Sequence, residues 1–438
     1  MSSAASAEPA SSEQGVAASG RGGGLGAITV ATVVAGVIGY LLLAAAPKFL
    51  EPEHYLEFNK FWSGLYLLVA ALSGLQQEVT RATHPAGVPA VSGSAADAPG
   101  HRHRLWLFAL VSGLAAAGLV AASSPLWASY VFPERTLILV AALAVALASY
   151  AGVAVLSGVF FGLKLWPAVA GMTIADAVLR LGLVSAALFA GHDLGVIAWA
   201  VALPFPLSLA LLWALTRRRV SGRYAVDVPP ARLASNALKT LGGATALGIL
   251  TSGLPLLVAV APASEPTTAI AAVVFVITLT RAPLVIPILA LQGWLTVFFR
   301  DRAASQPRPL ALVAGGVLAV SIVAAVVAFF VEPWLLHAIW GDRYQVDGLT
   351  CAGIVVTAGL MAALCVTGPA TLAAGRHGAY LAGWALAAAL TVATLFTPLP
   401  LIPRTLLAMA LGPLVGMMAH VTALLRPPGA AEPAPATP

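Results

Sequence analysis

The sequence predicts an all-α, polytopic membrane protein with about twelve transmembrane helices in two six-helix lobes. Three observations carry that expectation. The 438 residues are 60% hydrophobic and only 9% charged, whereas soluble domains carry roughly 25% charged residues. The apolar residues fall in runs long enough to cross a bilayer, which takes about 20 residues of helix. None of these runs alternates apolar and polar residues as the strands of an outer-membrane barrel do. So few charges cannot cover a globular surface of this size. A soluble enzyme, a nucleic-acid-binding domain and a disordered scaffold are all excluded on that ground.

Residues 1–24 are small, polar and Gly-rich and are expected to form a disordered cytoplasmic tail. They lack the basic start and small-residue cleavage site of a signal peptide, so the first apolar run is expected to remain as an anchor. Twelve runs follow, at 26–46, 58–77, 105–126, 136–160, 167–190, 195–215, 237–260, 268–298, 309–331, 349–370, 379–397 and 403–424. Residues 427–438 form a second short tail. The largest basic loop, the cytoplasmic linker 216–236, follows the sixth run and divides an N-lobe, 25–215, from a C-lobe, 237–426. A faint repeat relates residues 44–79 to 259–295: each has a helix ending in Ala-Pro, a short acidic turn, then a helix ending in Leu-Gln. Parallel repeats of this kind occur in transporters.

Charge placement orients the chain. With the N-terminus inside, the inner segments hold 16 of the 23 Lys and Arg residues and the outer segments 5, with Arg180 and Arg281 within spans. That excess places both termini on the cytoplasmic side of an inner or plasma membrane. Trp62, Trp106, Trp127, Trp166, Trp213 and Trp334 stand at the span ends, where indoles favour the interface. Cys351 and Cys365 are separated by about 21 Å of helix at 1.5 Å per residue, too far to bond to each other.

A charge within a span costs about 2.5–3.5 kcal/mol at the centre on insertion scales, so intramembrane charges are the first candidates for function. Arg281, in FVITLTRAPLVIP, lies close to the midpoint of the eighth run with no acidic residue within four positions. It is read either as a cation lining an internal cavity and meeting an anionic group such as phosphate, or as a structural arginine paired across helices. Asp176 and Arg180, in MTIADAVLRLG, are four apart and share one helical face. They form either a self-neutralising pair or a proton- or ligand-responsive pair facing the same cavity. Asp176 is the only acidic residue these boundaries place deep in a span. Glu78 and Arg81 close the second run in SGLQQEVTRAT, as interface residues or as a polar inner gate.

Other features have structural readings. Lys164 is expected to snorkel at an interface. Gly158 with Gly162, and Gly412 with Gly416, match the small-xxx-small spacing of close helix pairs. Pro204, Pro206, Pro255, Pro283, Pro287, Pro369 and Pro413 lie within spans, where proline kinks a helix and frees a carbonyl. The pair beside Arg281 makes the eighth run an expected bending element. His101 and His103 have no nearby cysteine and no carboxylate closer than Asp97, so they are read as loop residues and no metal is expected. There is no Walker A motif, dinucleotide fingerprint or nucleophile elbow. Neither enzymatic chemistry nor a cofactor is therefore expected.

Residues 50–83 (LEPEHYLEFNKFWSGLYLLVAALSGLQQEVTRAT) resemble the first hairpin of actinobacterial polysaccharide-biosynthesis membrane proteins. Those are similar to O-antigen flippases and the lipid II flippase, within the multidrug/oligosaccharidyl-lipid/polysaccharide exporter (MOP) superfamily. The resemblance rests on Leu50, Glu51, Pro52, Tyr55, Gly74, Leu75 and Arg81, although Leu56 stands where the family has a glycine. Residues 158–184 (GVFFGLKLWPAVAGMTIADAVLRLGLV) are similar to the family's passage from the fourth span to the fifth.

The resemblance implies a V-shaped pair of lobes around a cationic cavity that alternates between faces. It also implies that Arg281 and Arg81 stand where relatives place charges that meet a pyrophosphate. The expected function is a flippase or exporter of a lipid-linked saccharide or another anionic cell-envelope precursor. The expected partners are that anionic lipid and the bilayer, with no nucleic acid. Two alternatives stand beside it: a proton-coupled small-molecule exporter using Asp176, and a transport-dead scaffold for glycosyltransferases. Drug exporters of the bacterial type commonly carry an acidic residue in the first span, and run 26–46 has no charge. The Gly-rich, Asp-Arg-containing loop of major-facilitator transporters is absent from 79–104.

Overall fold

A computed structural model describes residues 13–86, 102–191, 193–226, 228–302 and 307–426. The expected tail residues 1–12 and 427–438 lie outside these, as do the side chains of His101 and His103. Five long helices come first: α1 (Glu13–Phe49), α2 (Pro52–Ala82), α3 (Arg102–Val131), α4 (Thr136–Gly162) and α5 (Trp166–Ala190). The sixth pass is split into α6 (Leu194–Ala202) and α7 (Pro204–Val220). The seventh consists of α8 (Pro230–Gly248), a π turn (Ile249–Gly253) and α9 (Leu254–Val260). Then come α10 (Thr267–Ala290), the short α11 (Gln292–Arg300) and α12 (Pro307–Trp340), which ends in a 3-10 turn (Gly341–Tyr344). The last three passes are α13 (Gly348–Ala373), α14 (His377–Leu395) and α15 (Leu401–Leu425).

Eleven of these passes are long and apolar enough to cross a membrane. The twelfth, α2, carries Asn59, Ser63, Gln76 and Glu78 on its buried and half-buried faces. It tolerates them because it runs through the bundle interior, packed on α4 on one side and on α8, α9 and α10 on the other. A helix shielded from lipid escapes the cost of exposing polar groups to hydrocarbon. Helices α1–α7 pack among themselves, as do α8–α15, and the two sets meet chiefly where α1 and α2 face α8, α9 and α10.

Several expected boundaries shift. α1 is already helical from Glu13, so the second half of the expected tail extends the first span's helix. Adding a turn to an existing helix avoids the cost of nucleation. The run 268–298 is not one helix: Pro283 and Pro287 both lie inside α10, and the break to α11 falls at Leu291. Thirty-one residues of helix would measure about 46 Å, well beyond a 30 Å hydrocarbon core. Pro204 and Pro255 do mark breaks, opening α7 and α9. The expected linker 216–236 contains the last turn of α7, a strand and the first turns of α8. That strand, β2 (Tyr224–Val226), pairs antiparallel with β1 (Thr83–Pro85) at the end of α2.

The glycine pairs make the close contacts expected of them. A Cβ on Gly162 would lie 2.6 Å from the Thr83 carbonyl oxygen, and one on Gly416 would lie 2.6 Å from that of Gly383. α4 and α15 therefore approach α2 and α14 to backbone distance, gaining dispersion contacts that lipid cannot supply.

Candidate functional site

A cavity of about 350 Å³ lies where the two sets of helices meet. One face of α2 supplies Asn59, Trp62, Ser63 and Tyr66, whose spacings of three and four place them in a single stripe. α1 contributes Tyr40, the π turn Thr251 and Ser252, and α10 Thr278 and Arg281. No carboxylate lines it among the described residues. The polar groups are linked across the interface. Asn59 Nδ2 donates to Tyr55 Oη (3.1 Å) and Thr278 Oγ1 (3.3 Å), while Ser63 Oγ donates to Asn59 Oδ1 (3.0 Å).

Arg281 is 8% exposed. Its Nη2 donates to the Leu250 carbonyl. That carbonyl lies in the π turn just ahead of Pro255, which brings no N–H to the helix ladder and so leaves acceptors free. The other guanidinium nitrogen, Nη1, is buried without a hydrogen-bond partner. A guanidinium held by one carbonyl, with a second N–H face unused at a polar cavity, is equipped to take an anionic oxygen.

The other sequence-derived candidates are placed elsewhere. Arg180 Nη2 lies 2.7 Å from both oxygens of Asp176. Its Nη1 donates to the Val201 carbonyl, and its guanidinium stacks on the rings of Phe205 (4.6 Å) and Tyr66 (5.5 Å). The pair sits among α5, α6 and α7, behind the Tyr66 ring rather than in the lining of the cavity. This is the self-neutralising arrangement. Lys164 is exposed in a left-handed turn, with φ 57°.

Glu78 and Arg81 belong to a closure at the end that carries the basic loops, the inner end in the expected orientation. Glu78 Oε1 accepts from Arg81 Nη2 (2.6 Å) and, across the interface, from Asn236 Nδ2 of α8 (3.0 Å). One turn earlier, Thr240 Oγ1 donates to the Gly74 carbonyl (2.8 Å). A Cβ on Gly74 would lie 2.6 Å from the Leu241 amide nitrogen, so only glycine allows α2 and α8 this close. The outer end is closed by aromatic rings. Tyr55 meets Phe275 (5.5 Å) and Tyr344 (5.6 Å) edge to face, Phe275 meets Trp340 (4.9 Å), and Tyr344 Oη donates to the Leu50 carbonyl (3.1 Å). An exposed Glu51–Arg343 pair at 3.3 Å lies above this plug.

Two features were missed from the sequence. The uncharged Asn59–Ser63–Thr278 set carries no charge signal, and its only trace is the one-turn spacing of Asn59 and Ser63 on α2. Glu332 was missed because Glu-Pro at 332–333 resembled the end of a run. α12 continues through it to Trp340, as the apolar stretch WLLHAIW would have indicated. Asp176 is therefore not the only acidic residue deep in a span, because Glu332 is 6% exposed inside α12.

No family model matches the chain. Uncharacterized protein Rv1510 of Mycobacterium tuberculosis (strain ATCC 25618 / H37Rv) is 34% identical over 409 residues, 93% of this chain and 92% of that protein. Uncharacterized protein Mb3654 of Mycobacterium bovis is 34% identical over 408 residues, 92% of each. Among solved structures, an inward-facing multidrug resistance MATE family transporter superposes with a TM-score of 0.59 at 13% identity, covering 90% of this chain and 98% of that one. The lipid II flippase MurJ, inward closed, gives 0.60 at 11% identity, covering 90% and 87%. A MOP superfamily transporter from Pyrococcus furiosus gives 0.60 at 12% identity, covering 92% and 95%. The chain belongs to the family of these mycobacterial proteins, as a multi-pass membrane protein with the fold of the MATE and MurJ transporters of the MOP superfamily.

Proposed function

We propose that the protein moves a lipid-linked saccharide, or another anionic cell-envelope precursor, across the membrane by alternating access, with Arg281 meeting the phosphate. The observation that carries this reading is the unused N–H face of a buried guanidinium at a polar cavity without a carboxylate. An anion entering there would satisfy Nη1, and the hydroxyls of Ser63, Thr251 and Thr278 would have to turn to it from the bonds they now donate to Asn59 Oδ1 and the Leu247 and Val274 carbonyls. Trp62 and Tyr66, packed on each other at 5.0 Å, add an aromatic wall for a sugar. At about 350 Å³ the cavity is of ordinary ligand-site size and suits a phosphate with its adjoining sugar, the rest of a longer chain lying outside. The superfamily likeness to a flippase supports the same reading.

The alternatives fare less well. A proton-coupled drug exporter built on Asp176 loses its acid, which is bonded to Arg180 outside the cavity. A transport-dead scaffold for glycosyltransferases would call for a packed interior with Arg281 fully engaged, whereas a cavity is present and Nη1 is not bonded.

The test compares wild type with Arg281→Ala in proteoliposomes, following inside-to-outside movement of a fluorescent polyprenyl-pyrophosphate-linked saccharide. Loss of movement by a folded Arg281→Ala protein is the expected result. Equal movement by both proteins would make Arg281 structural. No movement by either would turn attention to the exporter and scaffold alternatives.

A further inference from the structure

One buried acidic group has no place in the reading above. Glu332 lies on α12, and both of its carboxyl oxygens are buried without a hydrogen-bond partner. The titratable groups facing it are the Cys351 thiol of α13 and the Tyr40 phenol of α1. Neither brings a positive charge, and the only donor they offer it is the weak one of the thiol, which also lies 3.9 Å from the Val346 carbonyl. The remaining charged groups at this end of α12 are exposed and paired outward. His337 lies 3.1 Å from Asp342, and Arg343 lies 3.3 Å from Glu51. An ionised carboxylate with at most a thiol donor and no counter-charge in an apolar interior is far costlier than the neutral acid.

Position gives this group a use. Glu332, Leu336 and Trp340 follow one another at four-residue spacing on α12. Trp340 is part of the aromatic plug, and the helix runs on into Tyr344, which latches onto the Leu50 carbonyl. Glu332 therefore lies two turns behind the plug, toward the middle of the membrane. When the plug parts, water gains a path to the carboxyl.

We propose that Glu332 is a proton-binding switch for the outer end: the closed plug holds it as the neutral acid, and opening hydrates it and lets it ionise. Proton binding then favours closure. With one proton bound per closing event, the ratio of closed to open molecules falls by up to about tenfold per pH unit above the carboxyl titration. The inference rests on the alternating-access reading but not on any particular substrate.

The experiment uses the full chain in nanodiscs with Cys351→Ala and Cys365→Ala. Spin labels are placed on Glu51→Cys and Arg343→Cys, an exposed pair on opposite sides of the plug that contributes little to stability. Pulsed dipolar spectroscopy reads their separation from mildly acidic to alkaline pH without substrate. The expected result is a long-distance population that grows as pH rises, persists in Glu332→Asp, and is absent at every pH in Glu332→Gln. The Gln variant should keep its thermal stability, since it mimics the neutral acid. An unchanged pH response in Glu332→Gln, or no separation at any pH in the parent, would overturn the proposal. Adding Arg281→Ala should leave the pH response intact, so failure of the phosphate reading and failure of this switch give different outcomes.

Discussion

Arg281 and Arg180 are both buried arginines on membrane-spanning helices, yet their surroundings assign them opposite roles. Arg180 has a bidentate carboxylate, a carbonyl and two ring faces. Arg281 has one carbonyl. Removing one member of a buried ion pair strands the other and typically costs about 3–5 kcal/mol. Arg180→Ala should therefore lower the thermal unfolding temperature sharply in detergent, and Arg180→Ala with Asp176→Ala should recover part of the loss. Arg281→Lys keeps the charge but loses the fork that can hold Leu250 and a ligand oxygen together. We expect it to bind an anionic lipid headgroup about ten- to a hundredfold more weakly than wild type, the worth of one or two charge-assisted hydrogen bonds. Titration of each variant with a short-chain polyprenyl pyrophosphate would measure this. The sequence displayed both arginines because charge within an apolar run is conspicuous. It displayed the Asp176 partner of Arg180, four residues away, but not the Val201 and Leu250 carbonyls, 21 and 31 residues away along the chain.

At the level of elements, α2 touches each part of the proposed cycle. Its first turns enter the outer plug, its middle lines the cavity, and its last turns close the inner end. Gly74 is the point of closest approach to α8. Gly74→Leu would drive a side chain into the Leu241 backbone, so the inner end should stay open. A cysteine placed at Asn236 should then react faster with a soluble maleimide than it does in the otherwise native protein. Equal rates would show that α2 and α8 separate without regard to this contact. The family-like residues Leu50, Tyr55 and Gly74 were readable as a pattern, and the structure gives each a contact. The break at Leu291 was not readable. Helix ends inside a long apolar run depend on where the bilayer and neighbouring helices stop, and two prolines one turn apart, Pro283 and Pro287, are the stronger local signal.

For the molecule as a whole, apolar run length and basic-loop bias made the twelve-pass plan legible, because each pass must satisfy its own backbone in lipid. Which helices meet was not legible, since the lipid-facing and protein-facing surfaces of these passes are almost equally apolar. The polar clasps that fix the loops are likewise visible only in three dimensions. Asp347 caps α13, and bonds from the Thr350 hydroxyl and amide hold its carboxyl below the ordinary range. Glu265 accepts from the Leu401 amide at the start of α15, which likewise holds it low. Carboxyls whose folded-state pKa is depressed contribute stability above the ordinary carboxylate range, about 4, and lose it as pH falls through the folded value. Thermal stability should therefore drop below about pH 4, less so in Asp347→Asn, whose capping bond no longer depends on ionisation. An identical acid profile in the two proteins would remove Asp347 from the account.

The small strand pair sets a limit on travel. While β1 and β2 are joined, the chain between Val226 and the start of α8 at Pro230 is four residues long, a leash of about 14 Å at full stretch. Unzipped, the free length would run from the end of α7 at Val220 to Pro230, ten residues or about 35 Å. The six residues from Ser221 to Val226, three of them the strand, thus act as folded slack. Any movement that carries the start of α8 farther from β1 than the short leash reaches would mean peeling β2 away from the end of α2.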